Sequence, residues 1–203
     1  LRGLNNQTVQ EHMNDTGELF ERFSKVASKN KYSWFPIHRS AEEIALTQPE
    51  NRMIGLPYTK YMNSIMRVNQ SCALILMSAK KARELGIPTS KWVFMYAGAC
   101  INDIWNVSDR VDYSSSPAIK ACSDNVFELA DVKIEELNFI DLYSCFPSAV
   151  QIAMKELELS KDDPRGLTVT GGLPYFGGPG NAYVMNSIAV SYTHLTLPTT
   201  VRV

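Results

Sequence analysis

From Ser71 onward, short apolar runs alternate with stretches of helical period, and few folds accommodate that rhythm. Ser71–Ser78 (SCALILMS), Trp92–Cys100 (WVFMYAGAC), Leu137–Tyr143 (LNFIDLY) and Leu167–Thr170 read as strands. Between them lie Ala79–Leu85, stopped by Gly86 and Pro88, a helix capped by Ser116 with Pro117 in its first position, and Pro147–Leu159. The second of these helices points Ile119, Cys122, Val126, Phe127 and Ala130 inward; the third points Val150, Ala153, Met154 and Leu157 inward. Asp163–Gly166 reads as a turn. Strands alternating with helices predict an α/β fold, a mostly parallel sheet covered by helices on its faces. Trp92 and Trp105 are expected in its core.

The segments outside this rhythm are different. Residues 1–13 show no period. Asp15 with Glu18 predicts a capping box for a helix to about Lys29, with Leu19, Phe20, Phe23, Val26 and Ala27 as its apolar stripe. An aromatic loop follows to Arg39. Ser40 and Glu43 form a second capping box for a helix over Ala41–Leu46, and residues 47–68 read as an irregular insertion or cap. Ser191–Val203 has four Thr, no acidic residue and no helical period. It resembles a translated sequencing-library adapter. Residues 190–203, His194 included, are therefore expected to be a non-native tail, on a natural sequence cut at both ends.

Charge and cysteine usage exclude several function classes. Twenty Lys+Arg against 21 Asp+Glu leave a net charge of −1 on 203 residues, with no basic block to hold nucleic acid or an anionic membrane. The longest apolar run, Cys72–Met77, is six residues and cannot span a bilayer. Cys72, Cys100, Cys122 and Cys145 are scattered without a C-x-x-C pair, and the only imidazoles are His12, His38 and His194. No disulfide framework or metal site is expected, and reduced thiols point to a cytoplasmic protein.

Two motifs carry chemistry. Gly171–Gly180 (GGLPYFGGPG) concentrates five of the eleven glycines between a strand and a helix-like stretch, Asn181–Ala189. Such a loop either presents free N–H groups to an anion or oxyanion, or is a purely structural turn. Neither dinucleotide nor P-loop spacing is present. Asp141–Pro147 (DLYSCFP) sits where a strand ends and a helix begins, the place where open α/β sheets bind ligands. Its Cys145 is either a thiolate favoured by the helix N-terminus or a plain buried thiol, with no histidine near it in sequence.

The order Ser115-Ser116-Pro117-Ala118, then DLYSCFPSAVQ, then TVTGGLPYFGGPGN resembles the carboxy-terminal half of thiolases. The likeness is greatest to thiolase-like acetyl-CoA acetyltransferases related to the sterol-carrier-protein thiolases. Val68–Ser78 followed by KKARELGIP resembles the segment that closes the amino-terminal half. The resemblance implies a partial thiolase fold, αβαβα layers with mixed parallel sheets, incomplete at both ends. Residues 1–68 would end the amino-terminal half with its loop insertion, 69–91 would close that half, and 92–189 would belong to the carboxy-terminal half.

It also implies a site. Tyr143, Ser144 and Gly178 match the family's catalytic positions; Phe146, Gly171, Gly172, Gly177 and Pro179 match substrate-binding ones. Phe146 either lines an acyl pocket or packs in the core. The implied substrate is a coenzyme A thioester, with no resident cofactor or metal, and the implied assembly is a homodimer or higher oligomer. In thiolases the G-H-P loop supplies an imidazole that moves a proton; here Gly178 stands in its place. Tyr143 replaces the family's Asn or His, and Ser144 its acidic neighbour. A histidine that some relatives carry near Asn186 is also missing. The nucleophile segment is expected before Leu1 and the second cysteine beyond the other cut. This chain alone is therefore expected to be inactive. For its parent, an acyl-CoA acyltransferase, a non-catalytic acyl-CoA or lipid-binding protein and an assembly subunit all stay open.

Overall fold

The computed structural model describes residues 1–196. Its longest helix, α1 (Val9–Lys29), begins seven residues before the expected start, because Thr8 and Glu11 form the capping box instead of Asp15 and Glu18. The Glu11 backbone N–H donates to Thr8 Oγ1 (3.2 Å), and the Thr8 N–H donates to the Glu11 carboxylate (2.7 Å). Asp15 instead lies inside the helix and accepts from the Gln7 amide. The expected stripe is on the inner face: Leu19, Phe20, Phe23 and Ala27 are buried, with Phe20 and Phe23 stacked at 5.2 Å.

α2 (Ala41–Ala45) carries the Ser40–Glu43 capping box read from the sequence and packs on α1. Gly17 makes that approach possible: a Cβ there would lie 3.2 Å from the Ala45 Cβ and closer still to the Ala41 carbonyl oxygen. The insertion folds into a hairpin of β1 (Met53–Gly55) and β2 (Tyr58–Thr59). Asn51 is fully buried beneath it and donates to the carbonyls of Glu43, Ile44 and Leu46, tying the hairpin to α2.

α3 (Ala79–Glu84), α4 (Pro117–Ala130) and α5 (Pro147–Glu156) occupy the predicted helical stretches, and α4 packs against α5. On α4 only Ala130 of the expected stripe is fully buried; Ile119, Cys122, Val126 and Phe127 are half-buried. α6 (Tyr183–Thr196) continues past residue 190. The stretch without helical period is thus helical as far as Thr196, as expected where an established helix adds residues without a new nucleus. Residues 197–203 of the expected tail lie outside the described residues.

The expected strands need correction. Among the described residues the only strands in a ladder are β1 and β2. Ser71–Ser78, Trp92–Cys100, Leu137–Tyr143 and Leu167–Thr170 form none, apart from a single bond from Leu142 N–H to the Leu167 carbonyl (2.9 Å). A strand exists only through its neighbour, so an apolar run without one stays irregular. The first two runs consequently face outward: Ile75 is 82% and Met95 83% exposed. Trp105, expected in the core, is 83% exposed for the same reason, and Trp92 is half-buried with its indole N–H on the Ile87 carbonyl. The last two runs, by contrast, bury Ile140, Leu142 and Leu167 in the main core with residues of α1 and α5, and Val169 is buried as well.

Candidate acyl-transfer site

The strand-end motif and the glycine loop meet through a third segment, one that the sequence marks only as part of the irregular insertion over 47–68. Ser64 N–H donates to the Cys145 carbonyl (3.1 Å), Ile65 N–H to the Leu173 carbonyl (3.2 Å), and Gly178 N–H to the Ile65 carbonyl (2.8 Å). Ser64 and Ile65 are thereby wedged between the two motifs. Ser144, fully buried, also reaches the loop directly: its Oγ accepts from the Leu173 N–H (3.1 Å). Tyr143 is half exposed and touches the loop at one remove, edge-on to Tyr183 at 5.8 Å, which in turn packs edge-on to Phe176.

The glycines are buried from Gly171 through Gly178, with Pro179 half-buried. Gly171 and Gly177 combine positive φ (111° and 128°) with crowding: a Cβ at the first would strike the Ala27 backbone, and at the second the Gln70 amide. Gly172 faces Phe23 and Ser144 Oγ, where a Cβ would come within 2.7 Å of that oxygen. At Gly178 the obstacle is Ser64 Oγ, with the Ile65 carbonyl oxygen 3.2 Å away. An imidazole at 178 has no room unless Ser64 moves.

The expectation of free N–H groups fails at the double glycine. Gly171 N–H donates to Thr168 Oγ1 (3.0 Å), Gly172 N–H to Thr170 Oγ1 (3.1 Å), and Leu173 N–H to Ser144. Buried donors find partners where they can, and this turn finds them in its own threonines. Behind it lies a residue overlooked as a site member, Asp141. Its carboxylate accepts from Val169 N–H (2.9 Å), Thr168 Oγ1 (3.2 Å) and Ser187 Oγ (2.9 Å). Burial pushes its carboxyl above the usual carboxylate range, outweighing those hydrogen bonds. The sequence signal was there: a Thr-x-Thr pair directly before two glycines, facing an acidic strand-end residue.

Cys145 packs beside Leu173, Phe176 and Tyr183, and burial pushes its thiol up, away from the thiolate. Phe146 is 45% exposed and stacks on Tyr58 at 6.4 Å, joining the strand end to the hairpin. Tyr58 also lines a cavity of about 330 Å³ shared with Leu56, Pro57, His12, Arg2 and Ser148.

No family model matches the chain. Two relatives do. A monomeric SCP2-thiolase-like protein type 1 from Mycobacterium smegmatis superposes with a TM-score of 0.84 at 37% identity, covering 95% of this chain and 42% of that one. The chain is a relative of the thiolases. The acetyl-CoA acetyltransferase of Methanocaldococcus jannaschii is 23% identical over 168 residues, 79% of this chain and 41% of that protein. This thiolase relative thus spans about two fifths of the length of the proteins it matches. Its backbone has a partial α/β thiolase fold, even where its extended runs form no ladder. None of its described helices is long and apolar enough to cross a membrane.

Proposed function

We infer that this chain is part of a thiolase-like acyl-CoA acyltransferase of the acetyl-CoA acetyltransferase type. The reading is carried by the junction of the strand end and the glycine loop through Ser64 and Ile65, in a chain related to an acetyl-CoA acetyltransferase. The ligand is an acyl-CoA thioester, met by Tyr143, Ser144 and Phe146 on one side and Gly171, Gly172 and Gly177–Pro179 on the other. Residues 1–91 belong to the amino-terminal half of the fold and 92–189 to the carboxy-terminal half. Alone, the chain does not turn over. Gly178 has no proton to move, and a missing general base costs on the order of 10²–10⁴ in rate.

A second reading is favoured by the saturated turn. With the N–H groups of Gly171, Gly172 and Leu173 already engaged, a non-catalytic acyl-CoA or lipid-binding protein would need no further change. Calorimetry with acetyl-CoA and release of free CoA thiol separate the two. The acyltransferase reading expects acetyl-CoA binding by this chain without thiol release, and release above background by a longer protein that contains it. Binding without release by both supports the second reading. No binding at roughly millimolar acetyl-CoA overturns both. The longer protein is a homodimer or higher oligomer in a reducing, cytoplasmic compartment, consistent with the free thiols. Since the Mycobacterium relative is described as monomeric, light scattering is the check on assembly.

A further inference from the structure

Asp141 opens the strand-end motif but is not among the catalytic or binding positions that the thiolase resemblance marks, and it ties the Thr168–Thr170 stretch before the double glycine to α6. One carboxylate oxygen accepts from the Val169 N–H and Thr168 Oγ1, the other from Ser187 Oγ and, at 3.5 Å, the Tyr183 hydroxyl. Tyr183 shares a second hydrogen bond with Thr170 Oγ1 (2.8 Å). Thr168 and Thr170 in turn hold the N–H groups of Gly171 and Gly172, and Ser144, on the same strand end as Asp141, holds that of Leu173. The backbone donors of 169 and 173 thus rest directly on oxygens of the 141–144 segment, that of 171 through Thr168, and that of 172 through Thr170 and then Tyr183.

Such a hub needs a carboxylate. It accepts at about four lone-pair sites and donates at none, whereas an amide would turn two N–H groups toward hydroxyls and a backbone N–H that already donate. The groups facing Asp141 come from the turn (Thr168, Val169, Thr170) and from α6 (Tyr183, Ser187). Tyr183 alone among them is titratable, its phenol pushed above its ordinary range by burial and by the Asp141 charge. No cation contributes to holding Asp141 ionised. A buried carboxylate kept without a counter-charge is a costly way to fill space, and its geometry gives it a use.

We propose that Asp141 is a positioning residue: its carboxylate sets the backbone of Thr168–Leu173 against Tyr143–Phe146 and docks α6 beside it, so that the ligand meets a turn of one shape. The identity of that ligand rests on the acyl-CoA reading above; the positioning does not. The test compares the full chain with Asp141→Asn by amide hydrogen exchange across a pH series and by calorimetry with acetyl-CoA. In the variant, the amides of 169 and 171–173 exchange on the order of ten- to a hundredfold faster, as expected when hydrogen bonds to a charged group are lost. The α1 amides from Leu19 to Ala27 keep their rates, and acetyl-CoA affinity falls.

In the native chain, protection of the turn shows a pH step as the carboxyl titrates; in Asp141→Asn that step is gone. Equal exchange in both proteins, or a uniform loosening that includes α1, overturns the proposal. If Asp141→Asn does not fold, Ser187→Ala removes one donor to the carboxylate and shows a smaller, local version of the same effect; no local effect there overturns the proposal. A native chain whose turn behaves as described but binds no acetyl-CoA defeats the acyl-CoA reading and leaves the positioning role standing.

Discussion

Leu173–Phe176 and Trp92–Tyr96 are both aromatic and apolar, and the protein treats them in opposite ways. Tyr175 and Phe176 are each 1% exposed, while Met95 and Tyr96 project almost wholly into solvent. Side-chain hydrophobicity does not separate the two; backbone partners do. Trp34 N–H donates to the Phe176 carbonyl (2.8 Å) and Phe35 N–H to that of Tyr175 (3.0 Å), so the aromatic loop after α1 clamps the glycine turn onto the helix. The 92–100 stretch has no comparable run of bonds, and its side chains are left outside. Burial follows from where the polar backbone is satisfied, because a segment can bring its apolar groups inside only if its N–H and C=O groups have somewhere to go.

The contrast can be broken most forcefully at its buried end. Phe20→Ala, in the stack beneath Tyr175, is expected to lower unfolding free energy by about 3–5 kcal/mol in urea titration, whereas Met95→Ala stays within about 0.5 kcal/mol. Equal losses would mean that the outward stretch packs in solution. Gly171→Ala comes next. Positive φ and the collision with Ala27 together predict a loss of about 2–4 kcal/mol, against about 1–2 kcal/mol for Gly86→Ala, which also has positive φ but opens onto empty space.

Gly178→Ala, whose nearest obstacle is a hydroxyl, is expected to cost about 1–3 kcal/mol, and Ser64→Gly in the same chain recovers most of it, measured as a double-mutant cycle. Additive losses would show that Ser64 is not what fills that space. The smallest effects are electrostatic and have opposite signs in the two settings. Asp163, half-buried and bonded to Arg165, is held at about 2; it contributes stability present above the ordinary carboxyl range and lost as pH falls toward about 2. Asp141 is raised by burial, so its contribution favours the fold below its native titration point and is lost as pH rises through it. Side-chain carboxyl NMR titrations should place the Asp163 midpoint below the ordinary value and the Asp141 midpoint above it.

What could be read from the chain followed the range of the interaction. Ser40 with Glu43, and Ser116 before Pro117, announce helix starts within four residues, and both helices begin there. Thr8 with Glu11 carries the same signal as Asp15 with Glu18, which has the pattern but lies nearly two turns inside the helix. Strand pairing is non-local, so SCALILMS and WVFMYAGAC show their apolar content without showing whether a neighbour exists. The site divides in the same way. The motifs DLYSCFP and GGLPYFGGPG were legible because each is contiguous. Ser64, Gln70 and Asp141, which decide how those motifs sit and which N–H groups are spent, come from elsewhere in the chain or point backward from the motif.

Gln70 shows what such a distant contact does to the sequence itself. Its amide donates to the carbonyls of Tyr32 and Phe176 and occupies the space a side chain at 177 would need. Positions 70 and 177 are therefore coupled in space, yet the positive φ at the second reserves it for glycine even where the first is trimmed: a randomised library is expected to accept smaller residues at 70 and to return glycine at 177.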